Sequence, residues 1–206
     1  MKPRNFRRTA RLAVVLATAG LAAVAAHAQT AGSTSMSSRT SWLPYTQNGY
    51  IGLNLGHPHY SLGCGAAGSC DNPDLSGNLY VGGNFNNFAG IELGYLHMGN
   101  MDRGGGTTRA QGLNVSLVGR APVWNALSLY GKVGATYGRT KVDAPVSSGL
   151  ATGKESGWGP SYGFGATYNF TPQLAGVLDW QRNKFEFAGT GREWVRATSI
   201  GVRYSF

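Results

Sequence analysis

Short stretches in which apolar residues alternate with small or polar residues recur along most of the chain. In residues 197–206, the side chains of Ile200, Val202, Tyr204 and Phe206 share one face of an extended strand, and small or polar residues occupy the other. The same alternation predicts eight strands, at residues 50–56, 78–85, 88–98, 111–120, 127–139, 161–168, 174–183 and 197–206. No long stretch has the 3.6-residue period of an amphipathic helix, so the pattern predicts an all-β fold.

The segments between the predicted strands alternate between long and short. Long loops are predicted at residues 57–76, 100–108, 140–157 and 188–191, with tight turns around 86–87, 122–125 and 171–173. Outer-membrane barrels place short turns in the periplasm and long loops outside the cell, and their tilted strands need roughly nine to eleven residues to span the bilayer. The pattern is therefore typical of an eight-stranded antiparallel up-and-down transmembrane β-barrel, with lipid outside and a polar lumen inside.

Aromatic residues fall near many of the predicted strand ends. In a soluble β-sandwich they would be ordinary sheet aromatics, whereas in a membrane barrel they form girdles at the two interfaces. The residues predicted for these girdles are Tyr50, Phe88, Tyr95, Tyr137, Tyr168, Trp180, Tyr204 and Phe206.

The first 28 residues have the features of a cleavable signal peptide. Basic residues precede an apolar run at 12–26, and Ala26-His27-Ala28 offers a cleavage site. The alternative is a membrane-anchoring helix, but the run is short for a bilayer span. Residues 29–47 are small and polar and predict a flexible N-terminal segment, which leaves 48–206 for the barrel. The leader predicts export, here to the outer membrane of a Gram-negative bacterium.

Removal of the leader changes the charge balance. The whole chain has 18 Lys and Arg against 9 Asp and Glu, and the leader carries five of the basic residues, so the mature net charge falls from +9 to +4. The remaining basic residues are spread along the sequence without a cluster. The composition therefore argues against a nucleic-acid partner.

The two cysteines, Cys64 and Cys70, lie in a loop rich in glycine, alanine and serine. In an exported protein this spacing predicts a disulfide. A thiolate metal site is the weaker alternative, because no set of Cys and His residues has zinc-site spacing. A loop this small is worth only about 2 kcal/mol in the chain-entropy model, so the bond would stiffen the loop and not hold the fold.

The alternation places five charged side chains in the lumen of the predicted barrel: Glu92, Arg120, Lys132, Asp179 and Arg203. An eight-stranded barrel is just wide enough for side chains to fill it. The expected pairs are Glu92 with Lys132 or Arg120, and Asp179 with Arg203 or another cation. The simplest hypothesis is a structural ion-pair plug, and the alternative is the gate of a narrow pore.

Catalysis, metal binding and cofactor binding have little support in the sequence. The histidines of the mature chain are His57, His59 and His97, and the pattern brings no matched nucleophile and acid to any of them. His57 and His59 are too few ligands for a metal site. Residues 104–106 are three glycines with no following helix, so they predict loop flexibility and not a phosphate-binding loop.

Five segments together resemble the OmpA-type outer-membrane barrel: residues 86–101, 110–122, 127–139, 162–181 and 199–206. Residues 50–56 also look like that family's first strand. The resemblance implies that Glu92 and Lys132 are lumen charges. Val118 stands where it implies a second lumen lysine, and Thr167 stands where it implies an acid, which weakens a gating mechanism carried over from the family.

The resemblance has two further implications at the end of the chain. Because the sequence stops at Phe206, we expect no peptidoglycan-binding periplasmic domain. We also expect the terminal strand, with Tyr204 and Phe206, to be recognised by the outer-membrane insertion machinery. The sequence as a whole predicts a barrel without enzymatic activity, with a structural or surface-interaction role through its long loops. The alternative is a low-conductance pore for ions or small solutes.

Overall fold

The computed structural model describes residues 46–64 and 70–206. The predicted leader, at 1–28, and nearly all of the predicted N-terminal segment lie outside the described residues. The strands are β1 (Asn48–Tyr60), β2 (Cys70–Asp71), β3 (Ser76–Asn84), β4 (Ala89–Arg103), β5 (Gly106–Pro122), β6 (Leu127–Asp143), β7 (Gly153–Asn169), β8 (Leu174–Phe187) and β9 (Gly191–Ser205), with one short 3-10 helix at Val146–Ser148. Across the described ranges, no helix has the length and hydrophobicity to cross a membrane.

Eight of the strands form a closed antiparallel ring. Strands β1 and β3 to β9 each pair with the next in chain order, and β9 returns to pair with β1 in the register Leu53↔Val202. The two-residue strand β2 lies outside the ring and pairs with the end of β4. Where β1 pairs with both β3 and β9, and β7 with both β6 and β8, closure leaves these strands without an unpaired edge, which a membrane-spanning sheet requires. The prediction of an eight-stranded up-and-down β-barrel is confirmed.

The outer surface of the ring carries a continuous apolar band. Leu117 on β5 and Val133 on β6 are opposite each other in register and are 57% and 62% exposed, whereas the neighbouring Ser116 is 3% exposed and faces inward. The same alternation holds on every barrel strand, because successive side chains of a strand point to opposite faces. Apolar side chains turned outward around a polar interior are the arrangement of a lipid-facing barrel.

Aromatic side chains flank the band on both sides. The exposed aromatics near the end with the four-residue turns include Phe85, Phe88, Trp124, Tyr168, Phe170, Tyr204 and Phe206, and those near the other end include Tyr95, Tyr137, Trp158 and Tyr162. The girdle prediction is wrong for Tyr50, which is 1% exposed and lies in the lumen. Its neighbour Ile51 faces outward, so the alternation requires Tyr50 to face inward.

The strands are longer than predicted, and two of the predicted long loops are short. Strands β4 and β5 meet at Gly104 and Gly105, whose positive φ values of 55° and 78° fit a two-residue hairpin turn. Strands β8 and β9 are likewise separated only by residues 188–190. The strands thus continue beyond the apolar band at the end away from the four-residue turns, where residues 153–160 of β7 pair with β6 but not with β8. We call this the external end, because outer-membrane barrels keep their short turns in the periplasm.

The interior of the external end is rich in apolar side chains, in contrast to the interior within the band. Its buried hydrophobic residues form one cluster, which we call the external core: Tyr60, Leu62, Leu96, Met98, Met101, Ala110, Val142, Phe185, Phe187, Ala188, Val195 and Ala197. The alternation therefore inverts along the strands that contribute to this cluster, β1, β4, β5, β6, β8 and β9, with apolar side chains outside in the band and inside above it. Burial of this cluster gives the protruding strands a hydrophobic core of their own.

Candidate functional site

The five predicted lumen charges all face inward in the structure. They come from five different strands and are held near the turn end and the middle of the barrel. Glu92, Lys132 and Asp179 are 8%, 7% and 0% exposed. Charges with so little water around them must be paired or hydrogen-bonded, because an uncompensated buried charge is very costly.

Glu92 and Arg120 form the first ion pair, nearest the turn end. The Arg120 Nη2 atom lies 3.8 Å from Glu92 Oε1, and the Tyr50 hydroxyl donates a hydrogen bond of 2.9 Å to the same oxygen. The guanidinium also lies over the Tyr50 ring, 4.7 Å from its centroid, and donates to Asn84 Oδ1. The Tyr50 ring occupies the space where Gly82 has no side chain. Of the two partners predicted for Glu92, the structure selects Arg120.

Lys132 and Asp179 form the second ion pair, one layer further from the turns. The Lys132 Nζ atom is 2.7 Å from Asp179 Oδ1, and the Tyr130 hydroxyl donates a 2.5 Å hydrogen bond to that same oxygen. The register explains the choice of partner, because Lys132 is opposite Gly163 and Asp179 is opposite Gly165 on the strand between them. Two glycines on β7 therefore leave space for the lysine and the carboxylate to meet.

Arg203 is the third lumen cation, and it forms no ion pair with any described residue. Its guanidinium lies over the Tyr50 ring, 5.2 Å from the centroid, on a ring that Arg120 also contacts. Two acids and three bases thus leave the described lumen with one excess positive charge. Of the two partners expected for Asp179, Arg203 or another lumen cation, the structure has the second, which is Lys132.

The two positions at which the sequence departs from the resembled family carry no charge into the lumen. Val118 is buried against Tyr130 and Val177, and Thr167 is also buried. Hydrophobic packing therefore occupies the volume next to the Lys132–Asp179 pair. The second lumen lysine and the acid that the family resemblance implies at these two positions are therefore replaced by uncharged residues.

A layer of uncharged polar side chains fills the barrel above the ion pairs. The Asn114 amide donates to Thr136 Oγ1 at 2.8 Å and to Ser161 Oγ at 2.7 Å. The Ser116 hydroxyl donates to Asn114 Oδ1 at 2.6 Å, and the Thr136 hydroxyl donates to Asn183 Oδ1 at 2.9 Å. The space among these side chains leaves no room for a water molecule. This layer crosses the barrel from β5 to β8.

The external core lies inside the barrel above this polar layer. Tyr60 and Phe187 pack edge to face with ring centroids 6.2 Å apart, and the Tyr60 hydroxyl donates to the backbone carbonyls of Met98 and Gly99. Burial raises the pKa of the Tyr60 phenol above its ordinary value of 10.0. The prediction from sequence missed this core. The signal for it is a change of phase in the alternation, since Tyr95 faces outward whereas Leu96 and Met98 face inward.

A disulfide joins Cys64 to Cys70 beside the external core. Cys70 is part of β2, which pairs with Arg103 at the tip of the β4–β5 hairpin, and the Arg103 side chain donates to the Gly63 carbonyl. Burial lowers the pKa of the Arg103 guanidinium. The bond therefore fixes the segment after β1 against the neighbouring hairpin. Residues 65–69, between the two cysteines, lie outside the described residues.

Of the histidines that the structure describes, His57 and His59 are exposed and His97 is half-buried. His59 contacts the Asn72 amide at 3.1 Å, and His57 contacts the Asp74 carbonyl at 3.3 Å. Within the described ranges, no three His, Cys, Asp or Glu side chains are arranged to hold a metal ion. At the other end of the barrel, Tyr204 and Phe206 lie on the outer surface, and their role in assembly stays a prediction.

Basic residues that are scattered along the sequence gather on the outer surface of the external end. Eight basic residues and three acidic residues occupy outward positions of the barrel strands beyond the apolar band. The basic ones are Arg109, Arg139, Lys141, Lys154, Arg182, Lys184, Arg192 and Arg196, and the acidic ones are Asp102, Asp143 and Glu186. The closest set is Arg109, Arg139, Lys141 and Lys154 on β5, β6 and β7, which we call the basic cluster. The cluster does not stand out in the sequence, because pairing of the strands brings together residues up to 45 positions apart.

The curated relatives of this chain are outer membrane proteins, and several solved structures share its architecture. Outer membrane protein A of Salmonella typhi is 29% identical over 98% of this chain, and that of Shigella flexneri is 28% identical over 98%. Among solved structures, Neisserial surface protein A matches with a TM-score of 0.60 at 16% identity, over 77% of this chain and 97% of that one. Ail, the attachment invasion locus protein of Yersinia pestis, matches with a TM-score of 0.53 at 21% identity, over 77% and 98%.

The curated relatives are longer than this chain, which spans 56% of the length of each of these two. At 16% and 21% identity, the likeness to the solved structures concerns the fold alone. The model of the outer membrane protein beta-barrel domain family matches residues 14–206. That match covers nearly the whole chain, and the closed eight-stranded ring with its apolar outer band agrees with it. The chain belongs to the outer membrane protein beta-barrel domain family.

Proposed function

We propose that this protein is a closed outer-membrane barrel with a structural or surface-interaction role, and not a route for solutes. The external core is the observation that carries the proposal. It places Tyr60, Phe185, Phe187 and their apolar neighbours across the barrel above the polar lumen. An ion that entered the lumen would have to leave through tightly packed hydrocarbon, where it has no replacement for its hydration shell.

The lumen below the external core supports the same proposal. The two ion pairs and the polar layer place side chains that pair or hydrogen-bond with one another inside the barrel. Such an arrangement supports a plug that stabilises the barrel and needs no moving part.

A surface-interaction role is supported by how far the strands continue beyond the band. Strands β5, β6 and β7 each have 17 residues, against the roughly nine to eleven that a spanning strand needs. The external core and the disulfide make this protruding part rigid, and rigid surfaces bind partners with little loss of conformational entropy. The similarity in fold to an attachment protein agrees with this role.

A low-conductance pore is the second candidate, and Arg203 is the observation that favours it. This cation has no ion-pair partner among the described residues, and the lumen from Arg203 to Asn114 is lined by polar groups. A small rearrangement of the ion pairs would open a polar path through this part of the barrel. The side chains of the external core would still have to move apart before an ion could pass.

Planar-bilayer recording on purified, refolded protein tests the proposal. We expect the current to stay at the baseline for the native protein and for Glu92→Gln, because the external core remains in place. The matched variant is Phe185→Ala/Phe187→Ala, which removes two aromatic rings from the external core and leaves both ion pairs intact. Discrete conductance steps in the native protein, altered by Glu92→Gln, would establish the pore and contradict the closed barrel.

A further inference from the structure

The basic cluster lies on the lipid-facing side of the barrel, not in the lumen or at a loop tip. In the sheet register Arg109 is opposite Lys141, and Lys141 is opposite Lys154, so three cations lie side by side across β5, β6 and β7. Arg139 lies one row closer to the apolar band, opposite Gln111. Like charges at directly opposed positions of a sheet repel one another, so this row disfavours the fold unless an anion lies over it.

The counter-charges within the protein do not neutralise the cluster. Lys141 forms an ion pair of 2.6 Å with Asp143, and the Arg109 Nε atom donates to the Asn100 side chain at 2.6 Å. Arg139 and Lys154 form no ion pair with any described residue. The four cations and the one acid leave three positive charges around a depression of about 140 Å³, which Gln111 and Thr140 also line.

The depth of the cluster indicates what kind of anion it meets. Arg139 occupies the next outward position after Tyr137, whose ring packs against Trp158 in the external girdle at 5.4 Å. Two residues along a strand span roughly 7 Å, so Arg139 lies just outside the girdle. Aromatic girdles mark the level of the lipid headgroups. The cations are therefore at the height of headgroup phosphates, directly above a surface of Leu113, Val133 and Tyr137 that acyl chains can cover.

We propose that the basic cluster binds the phosphate groups of a phosphorylated lipid headgroup in the external leaflet. Arg109 and Arg139 supply planar guanidinium groups that can each donate two hydrogen bonds to one phosphate, and Lys141 and Lys154 supply point charges. The lipid offsets the repulsion within the row and stays bound through its acyl chains on the apolar band. A soluble phosphate has the same headgroup chemistry but makes no contact with the band.

Nuclear magnetic resonance of the full chain, refolded in uncharged maltoside micelles, tests this site. The side-chain amide of Gln111 is the reporter, because Gln111 lines the depression. The probes are short-chain phosphatidic acid, short-chain phosphatidylcholine and inorganic phosphate. We expect a saturable shift of the Gln111 signal with phosphatidic acid and much weaker effects of the other two. Equal binding of inorganic phosphate would assign the site to a soluble anion and overturn the lipid assignment.

Variants identify the groups that carry the binding. Arg139→Gln/Lys154→Gln removes two charges without leaving an ion-pair partner behind, and we expect the affinity to fall about fivefold for each charge removed. Arg139→Lys/Lys154→Arg keeps the charge and should keep most of the affinity. Lys184→Gln/Arg196→Gln removes two outward charges on β8 and β9 and should leave the titration at Gln111 unchanged. An unaltered affinity in the first variant, or an equal loss in the last, would overturn the proposal.

Discussion

The pair Lys132–Asp179 shows how the lumen is held together. Asp179 is fully buried, and one of its oxygens accepts from both Lys132 and Tyr130. In so dry a site, removal of either charge leaves the other uncompensated, whereas removal of both leaves neutral groups of similar shape. The coupling between the two residues should therefore be large.

A double-mutant cycle measures that coupling. We expect Lys132→Met and Asp179→Asn each to lower the free energy of unfolding by about 3 to 5 kcal/mol, and the double variant to lower it by much less than the sum. Urea titration in lipid vesicles gives the values. Losses that add within about 0.5 kcal/mol would mean that the two groups do not interact in the folded protein.

Ionisation of the Tyr60 phenol makes the stability of the folded protein depend on pH. Because burial raises the pKa of its phenol above 10, the folded protein keeps this proton at pH values at which the unfolded chain has lost it. This contribution to stability is complete below pH 10 and decreases as the pH rises above 10, by up to about 1.4 kcal/mol per pH unit.

Replacement of Tyr60 by phenylalanine isolates this effect. Tyr60→Phe keeps the ring against Phe187 but removes the hydrogen bonds to two backbone carbonyls, at a cost of about 1 kcal/mol. Above pH 10 the stability of the variant should decline less steeply than that of the native protein. Parallel curves from pH 9 to pH 11, measured by tryptophan fluorescence, would show that the Tyr60 phenol is not buried.

The apolar band gives a prediction for the strands. Leu117 lies at the middle of β5 on the outer face, and Thr107 lies on the same face beyond the band. Leu117→Arg places a charge in hydrocarbon and should destabilise the barrel in vesicles by roughly 2 to 4 kcal/mol. Thr107→Arg is the control and should change stability by less than about 0.5 kcal/mol. Equal effects of the two changes would show that β5 does not cross lipid.

The disulfide belongs to the first external connection and not to the ring. Cys70→Ser should loosen the segment that β2 fixes against β4, while the ladders of the eight barrel strands persist. We expect faster protease cleavage near residues 61–75 and little change in the urea midpoint. Cys64→Ser/Cys70→Ser should behave as Cys70→Ser does. A large shift of the midpoint would mean that the bond supports the barrel itself.

Much of the ring could be predicted from the sequence, because lipid on one side and a polar lumen on the other produce strict alternation. The external ends of the strands could not. There water replaces lipid outside and apolar side chains fill the inside, so the phase of the alternation changes at Leu96, Phe185 and Val195. The predicted strands therefore end at residues 98 and 183 and begin only at residue 197. Inverted alternation after a lipid-facing strand is the signal that would have extended them.

The lumen charges could be predicted as a set but not as pairs. Whether a side chain faces the lumen follows from the position of its residue within the strand. The height of that residue along the barrel axis depends on the register between strands, which a single sequence does not specify. Lys132 and Asp179 meet because of the offsets of β6, β7 and β8. The basic cluster was missed for the same reason, since Arg109, Lys141 and Lys154 become neighbours only through strand pairing.

The barrel as a whole has three zones along its axis. Two ion pairs lie toward the turns, a layer of uncharged polar groups lies above them, and the external core lies in the external end. The first two zones lie inside the apolar band, and the third lies in the part that projects beyond it. The proposal of a closed barrel rests on these three zones together.

Thiol accessibility at the centre of the barrel is the most direct measurement of whether this interior is filled. Ser161 lies in the polar layer, 7% exposed and bonded to Asn114, and Ser161→Cys in a Cys64→Ser/Cys70→Ser background places one thiol there. Lys141→Cys in the same background gives an exposed control. In vesicles we expect a charged methanethiosulfonate reagent to modify position 141 within seconds and to leave position 161 unmodified over hours. Comparable rates at the two positions would contradict the closed barrel.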